Sequence, residues 1–198
     1  MRFSNHERKD LFYAGLLISL AFAILLSGGF RAFTNFNSSF GIIFLLAFFT
    51  AGLGFLLHEL AHKFVAQSYH LWAEFRAYYG GLWLAVGLSL FGFIIAAPGA
   101  VYIHGEITRE RNGKISVVGP LTNIFLAVVF LILLLVLGGE GILGALFSFG
   151  LTINSLLAAF NMIPVMPFDG AKVIAWNKGI YTVTILAGIG LFILSFLL

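Results

Sequence analysis

The chain has 198 residues, of which 61% are hydrophobic and 10% charged, with no cysteine and a formal net charge of +3. A soluble domain carries about 25% charged residues, so the composition is that of a membrane protein. The absence of cysteine excludes disulfides and thiolate chemistry. The basic residues are too few and too scattered for a nucleic-acid-binding surface, so we expect no nucleic-acid partner.

Six apolar stretches follow one another, and each reaches the roughly 20 residues that a helix needs to cross a bilayer. They are residues 11–30, 40–66, 82–103, 115–139, 141–160 and 179–198. The polar connections between them are too short to hold a soluble domain. The sequence therefore predicts an all-α polytopic membrane protein that forms a single membrane-embedded domain over residues 1–198.

The third stretch, 82–103, is expected to enter the membrane and return to the same side. Gly87, Gly92 and Pro98 suit a bent segment better than a straight helix. With this stretch re-entrant, ten of the 11 Lys and Arg residues fall on one side, which the positive-inside rule makes cytoplasmic. We therefore expect about five transmembrane helices, one re-entrant segment and a cytoplasmic N-terminus. The alternating stretch AEFRAYY (73–79) suggests a short β-strand.

The second stretch ends in a set of ionisable residues, HELAH at 58–62. On a helix, His58 and His62 lie on one face, so both imidazoles can reach a single zinc ion. Glu59 can take the proton of a water whose pKa zinc has lowered to about 7. Ionisable groups at membrane depth are costly and usually mark a functional site. The neighbouring Lys63 is expected to extend toward the polar boundary.

A zinc hydrolase needs a third protein ligand. The best candidate is Asp169, in the stretch NMIPVMPFDGAKV (161–173), where Pro164 and Pro167 must break the helix. A carboxylate at the start of the next helix is held ionised by the helix dipole, which suits a metal ligand. Three acidic residues in the polar connections stay possible ligands: Glu74, Glu106 and Glu110.

Together, HELAH and NMIPVMPFDG resemble the motifs of the site-2 proteases, which are intramembrane zinc metalloproteases. The family pattern is H-E-x-x-H on one membrane helix and N-x-x-P-x-x-P-x-D-G after a later one. GPLTN (119–123) resembles the family's G-P-x-x-N, which begins the helix between them. The resemblance covers a catalytic core of about residues 40–175. The chain has no room for the PDZ or nucleotide-binding domains of some members, so it resembles a minimal member.

The resemblance implies a function and a role for each motif residue. Glu59 is the general base, Asn161 matches an asparagine that steadies the tetrahedral intermediate, and Asn123 matches one that lines the active-site cleft. The implied substrates are transmembrane proteins, cut within or near their membrane segments in the lipid bilayer, with the active-site end cytoplasmic. One Zn²⁺ per chain is implied, bound by His58, His62 and Asp169.

Intramembrane His, Glu and Asp can also form the ion site of a divalent-metal transporter, or a metal site without catalysis. Transport favours acidic groups distributed along a pathway and often an inverted repeat. Here the acidic groups gather at one level and no repeat is visible. A transporter with Glu59 as ligand would lose its metal in Glu59→Gln, whereas a protease would keep the metal and lose turnover.

Overall fold

The computed structural model of the protein describes residues 2–31, 38–95 and 98–198. Apolar stretches become helices because a backbone in a bilayer must satisfy its hydrogen bonds internally. In chain order the helices are α1 (Asn5–Leu26), α2 (Ser38–Ala47), α3 (Leu53–Ser68), α4 (Tyr79–Ser89), α5 (Arg109–Leu137), α6 (Gly141–Asn161), α7 (Asp169–Trp176) and α8 (Lys178–Leu194). Strands β1 (Trp72–Ala77) and β2 (Gly99–His104) pair in a two-stranded sheet.

Four helical segments of the described chain are long and apolar enough to cross a membrane. α2 and α3 count as one of them, because the π-helical turn Phe48–Gly52 joins them without a break. α8 is also apolar but has 17 residues. The chain is thus an integral membrane protein, and the predicted all-α polytopic class is confirmed. The four segments are Asn5–Leu26, Ser39–Ser68, Arg109–Leu137 and Gly141–Asn161.

The third apolar stretch, 82–103, contains no crossing helix among its described residues. α4 has 11 residues, which span about 16 Å, whereas the bilayer core is about 30 Å thick. Irregular backbone follows α4, and β2 begins at Gly99. Ala96 and Ala97 of the predicted re-entrant segment lie outside the described residues. The strand predicted within 73–79 is observed as β1, and its partner β2 is an addition to the predicted elements.

The chain divides into two compact units. The first contains Arg2–Leu56 and Glu74–Tyr102, and the second contains Leu57–Ala73 and Ile103–Leu198. The second unit therefore carries every residue of the two long predicted motifs. That residues 1–198 act as a single metalloprotease domain stays a prediction.

In the first unit, the start of α1 binds the edge of β1. The Ser4 hydroxyl caps α1 by accepting from the Glu7 backbone N–H at 3.1 Å. The Glu7 carboxylate accepts from the Phe75 N–H at 2.9 Å, and the Asp10 carboxylate accepts from the Ala77 N–H at 3.1 Å. These acidic residues are thus part of the folded helix, which begins before the apolar run predicted to start at residue 11.

In the second unit, α5 packs against α6, α7 and α8. A buried cluster of Val117, Met162 and Val173 joins the start of α5 to the end of α6 and to α7. Gly113 provides the close approach, because a Cβ there would overlap the Trp176 side chain. This packing brings the end of α6 and the start of α7 to the same end of α5 as residues 113–117.

Candidate metal centre

His58 and His62 lie one turn apart on α3 and are buried, with 4% and 7% of their surface exposed. Their rings meet edge to face with centroids 4.7 Å apart. The two Nε2 atoms face one carboxylate oxygen, Oδ2 of Asp169, at 3.4 Å for His58 and 3.0 Å for His62. The spacing of the H-E-x-x-H pattern therefore aims both imidazoles at one point, as predicted.

Asp169 is the first residue of α7 and reaches the histidines because the chain breaks after α6. Residues 163–168 are non-helical, as the two prolines predicted. Gly170 permits the tight turn into α7, since a Cβ there would lie 2.7 Å from the Ile163 carbonyl oxygen. In the D-G pair, the aspartate thus supplies the carboxylate that contacts the histidines, and the glycine makes room for the turn.

The Asp169 carboxylate is buried among positive or polar groups. Burial alone would raise the pKa of Asp169, but His62 and His58 outweigh that effect and hold this pKa well below its usual range. Its second oxygen, Oδ1, lies 3.3 Å from the Lys172 ammonium. The group is therefore ionised, as a carboxylate must be to bind a metal.

Glu59 adds a second carboxylate to the site. One ligand atom from each of His58, Glu59 and His62 lies within 4.8 Å of the others, a spacing that can hold a metal ion. The imidazole pair is therefore flanked by two acidic side chains. Asp169 is the one in contact with both Nε2 atoms.

One face of α5 holds both imidazoles at their Nδ1 atoms. Ile115 and Asn123 make these contacts, and Gly119 lies between them on the same face, because the three residues are spaced by four. The Ile115 carbonyl oxygen lies 2.7 Å from His62 Nδ1, and Asn123 Oδ1 lies 2.6 Å from His58 Nδ1. Gly119 makes room between them, because a Cβ there would lie 2.5 Å from the Nε2 atoms of both rings.

These contacts determine which nitrogen of His62 carries its proton. A backbone carbonyl can only accept a hydrogen bond, so the Ile115 carbonyl requires the proton on Nδ1 of His62. Nε2 of His62 then faces the Asp169 carboxylate 3.0 Å away. A neutral ring and a carboxylate at this distance repel each other unless a cation, either a proton on Nε2 or a metal ion, lies between them.

Asn161, the last residue of α6, is predicted to act on the reacting carbonyl. Its Nδ2 donates to the Leu157 carbonyl oxygen of its own helix at 2.9 Å. The predicted catalytic role of Asn161 stays a prediction.

The three alternative ligands predicted from the polar connections are placed elsewhere. Glu74 belongs to the first unit and pairs with Arg76 at 3.0 Å. Glu110 pairs with Lys114 at 2.5 Å, and Glu106 is exposed. Among the described residues, the acidic groups beside the histidines are thus Asp169 and Glu59.

Asn154, on α6, is a residue of the site that the motifs did not indicate. It is fully buried, and its Oδ1 accepts from Asn123 Nδ2 at 3.0 Å. The available signal was an asparagine in an otherwise apolar membrane helix, where polar side chains often bond across helices.

The chain is 44% identical over 191 residues to the "putative zinc metalloprotease MJ0611" of Methanocaldococcus jannaschii, covering 96% of this chain and 94% of that protein. It is 27% identical over 143 residues to the "zinc metalloprotease MJ0392" of the same organism, covering 70% of this chain and 35% of that protein. It is 29% identical over 141 residues to the "putative zinc metalloprotease Rip3" of Mycobacterium tuberculosis, covering 68% of this chain and 32% of that protein.

The chain therefore spans about a third of the length of the last two relatives and nearly all of the first. No family model matches it, and no solved structure matches it. The match to the first relative covers 96% of this chain and so extends through both units. The chain belongs to the zinc metalloprotease family of that relative, in agreement with the resemblance of its motifs to those of the site-2 proteases.

Proposed function

We propose that the protein is an intramembrane zinc metalloprotease that cuts membrane-protein substrates within or near their transmembrane segments. The observation that carries the proposal is the convergence of His58 Nε2 and His62 Nε2 on Asp169 Oδ2, at 3.4 Å and 3.0 Å. The two histidines lie on a helical segment long and apolar enough to span a bilayer, Ser39–Ser68. A hydrolytic site at that place acts on peptide bonds that are in or close to the membrane.

The residues present fit a zinc ion. Catalytic zinc sites use three protein ligands of the His and carboxylate type and keep one position open. His58, His62 and Asp169 supply that set, and Gly119 leaves space beside both imidazoles. Three acceptors this close are stable only around a cation. We assign these three side chains as the ligands of one zinc ion per chain.

The positions of the Asp169 and Glu59 carboxylates indicate different roles for them. When bound, zinc supplies a Lewis acid that polarises the peptide carbonyl and acidifies water. Glu59, which lies beside the imidazole pair, takes the proton of the attacking water on its carboxylate and passes it to the leaving nitrogen. Asn161 donates one N–H of its side-chain amide to the Leu157 carbonyl, and the second N–H can donate to the developing oxyanion.

The segment before Asp169 is a candidate contact for substrate. A transmembrane helix hides its carbonyls in its own hydrogen bonds, so it must unwind locally before it is cut. Residues 164–167 are non-helical and exposed, and Val165 and Met166 present 59% and 66% of their surface. An unwound apolar strand can lie along these residues and place a carbonyl near the metal ligands.

The proposal is tested with purified protein in lipid vesicles and a panel of single-span membrane proteins carrying a photocrosslinker. We expect zinc-dependent products whose new ends lie within or next to the membrane segment, and crosslinks to Val165. Chelation should stop cleavage and added zinc should restore it. Zinc uptake into vesicles without any cleavage would instead establish the transporter alternative, and crosslinks that avoid 163–168 would remove that segment from the substrate path.

We propose that the N-terminus and the active-site end of the protein face the cytoplasm. Two contacts support the topology. His62 meets Ile115 and His58 meets Asn123, so α3 and the start of α5 run antiparallel. The end of α3 and the beginning of α5 then lie at one level, and the intervening residues 69–108 return to the level that they left. With that return, ten of the 11 basic residues share one side.

Cysteine labelling tests this orientation in a chain without native cysteines. Single cysteines at Ser68 and Asn112 should both react with an impermeant thiol reagent from the cytoplasmic side. A cysteine at Glu140, in the connection between α5 and α6, serves as the matched control and should react from the opposite side. Labelling of Ser68 and Asn112 from opposite faces would contradict the re-entrant topology.

A further inference from the structure

Two buried asparagines stand behind His58, on the side away from Asp169. Asn123 on α5 and Asn154 on α6 are both fully buried. We propose that they form a hydrogen-bonded relay that fixes the tautomer and orientation of His58, so that its Nε2 is always available to the metal. This proposal rests on the zinc site proposed above. In this role both are positioning residues, because they act through His58.

The relay consists of three hydrogen bonds in a row. Asn154 Nδ2 donates to the Gly150 carbonyl oxygen of its own helix at 2.9 Å. Asn123 Nδ2 donates to Asn154 Oδ1 at 3.0 Å. Asn123 Oδ1 then lies 2.6 Å from His58 Nδ1. The chain of contacts thus runs from a helix carbonyl on α6 to the imidazole on α3.

The direction of each bond follows from the first. The Gly150 carbonyl can only accept, so the NH₂ group of Asn154 must face it and the amide oxygen must face Asn123. Asn123 must then present its NH₂ group to Asn154 and its oxygen to His58. Since that oxygen also only accepts, His58 carries its proton on Nδ1. In the neutral ring, which is the form that binds a metal, Nε2 then has the lone pair, and it faces Asp169.

Both histidines therefore carry a proton on Nδ1, but different groups fix it there. His62 is fixed directly by the rigid Ile115 carbonyl. His58 is fixed by an Asn123 amide, and a rotated amide would present a donor in place of an acceptor. A donor would require the His58 proton on Nε2, where it blocks the metal. Asn154 prevents this rotation, because the rotated amide would set oxygen against oxygen.

The test measures zinc affinity of the purified protein by competition with a chelator. Asn123→Leu and Asn154→Leu should each raise the zinc Kd by about 10- to 100-fold, the usual effect of removing a partner behind a ligating histidine. Ser155→Ala is the matched control, because this buried hydroxyl is on the same helix and bonds to the Leu151 carbonyl. Its zinc Kd should stay at the wild-type value.

A double variant separates a positioning role from a packing role. In Asn123→Leu the amide is gone, so Asn154 has no amide left to orient. Adding Asn154→Leu to Asn123→Leu should then cost no further zinc affinity, whereas Asn154→Leu alone weakens zinc. A packing role predicts the same loss in both backgrounds and would overturn the relay, as would wild-type zinc affinity in Asn154→Leu. A wild-type protein that binds no zinc at all would refute the proposed metal site itself.

Discussion

Replacing Asp169 with alanine should strip zinc from the purified protein and reduce cleavage to background. The carboxylate oxygen lies within 3.4 Å of both imidazole Nε2 atoms, so its removal takes away one of three ligands and the negative charge that balances the ion. We expect zinc affinity to fall by more than the roughly 10- to 100-fold seen when an outer partner is lost. Metal content and a chelator competition titration measure the effect.

Glu106→Ala is the matched control for Asp169→Ala, because Glu106 is an exposed acidic residue that the sequence left open as a ligand. This variant should keep zinc and activity. If Asp169→Ala retained its full zinc content, Asp169 would leave the ligand set. Glu59, already within 4.8 Å of the histidine ligand atoms, would be the next candidate.

The contact between Asp169 and the two histidines was predictable because it depends on local chemistry and on order along the chain. A spacing of four residues places His58 and His62 on one helix face whatever surrounds it. Pro164 and Pro167 break the helix after α6 wherever it packs. One ion needs all three ligands at one level, and that requirement also predicted that 82–103 returns to the side from which it enters.

The surroundings of the histidines were less predictable, because they depend on which helix faces meet. After its charged first turns, α5 carries apolar residues on all sides, so no periodic pattern indicates that Ile115, Gly119 and Asn123 face α3. Asn123 was expected to line the cleft, and the structure shows it hydrogen-bonded to His58. A backbone carbonyl such as that of Ile115 leaves no trace in the sequence.

The prediction for Lys63 was wrong. It was expected to extend toward the polar boundary, but its surface is 0% exposed. A long basic side chain near the end of a membrane helix usually reaches water. Sequence position alone does not show that neighbouring elements cover this face of α3.

Glu59→Gln should keep zinc and lose turnover. Glutamine preserves the size and hydrogen bonding of the glutamate but cannot accept the proton of the attacking water, so cleavage should fall by at least about 10²-fold. Because the three assigned ligands, His58, His62 and Asp169, are untouched, the zinc content should match that of wild type. The assay is the vesicle cleavage reaction, measured alongside metal analysis of the same preparation.

The same substitution at Glu110 provides the control, since Glu110 is exposed and pairs only with Lys114 among the bonds described for it. Glu110→Gln should cleave at the wild-type rate. The two readouts for Glu59→Gln then separate three mechanisms. Lost turnover with retained zinc identifies Glu59 as the base, and loss of both makes it a ligand, as in a transporter. Normal cleavage would show that another group takes the proton even though the metal is present.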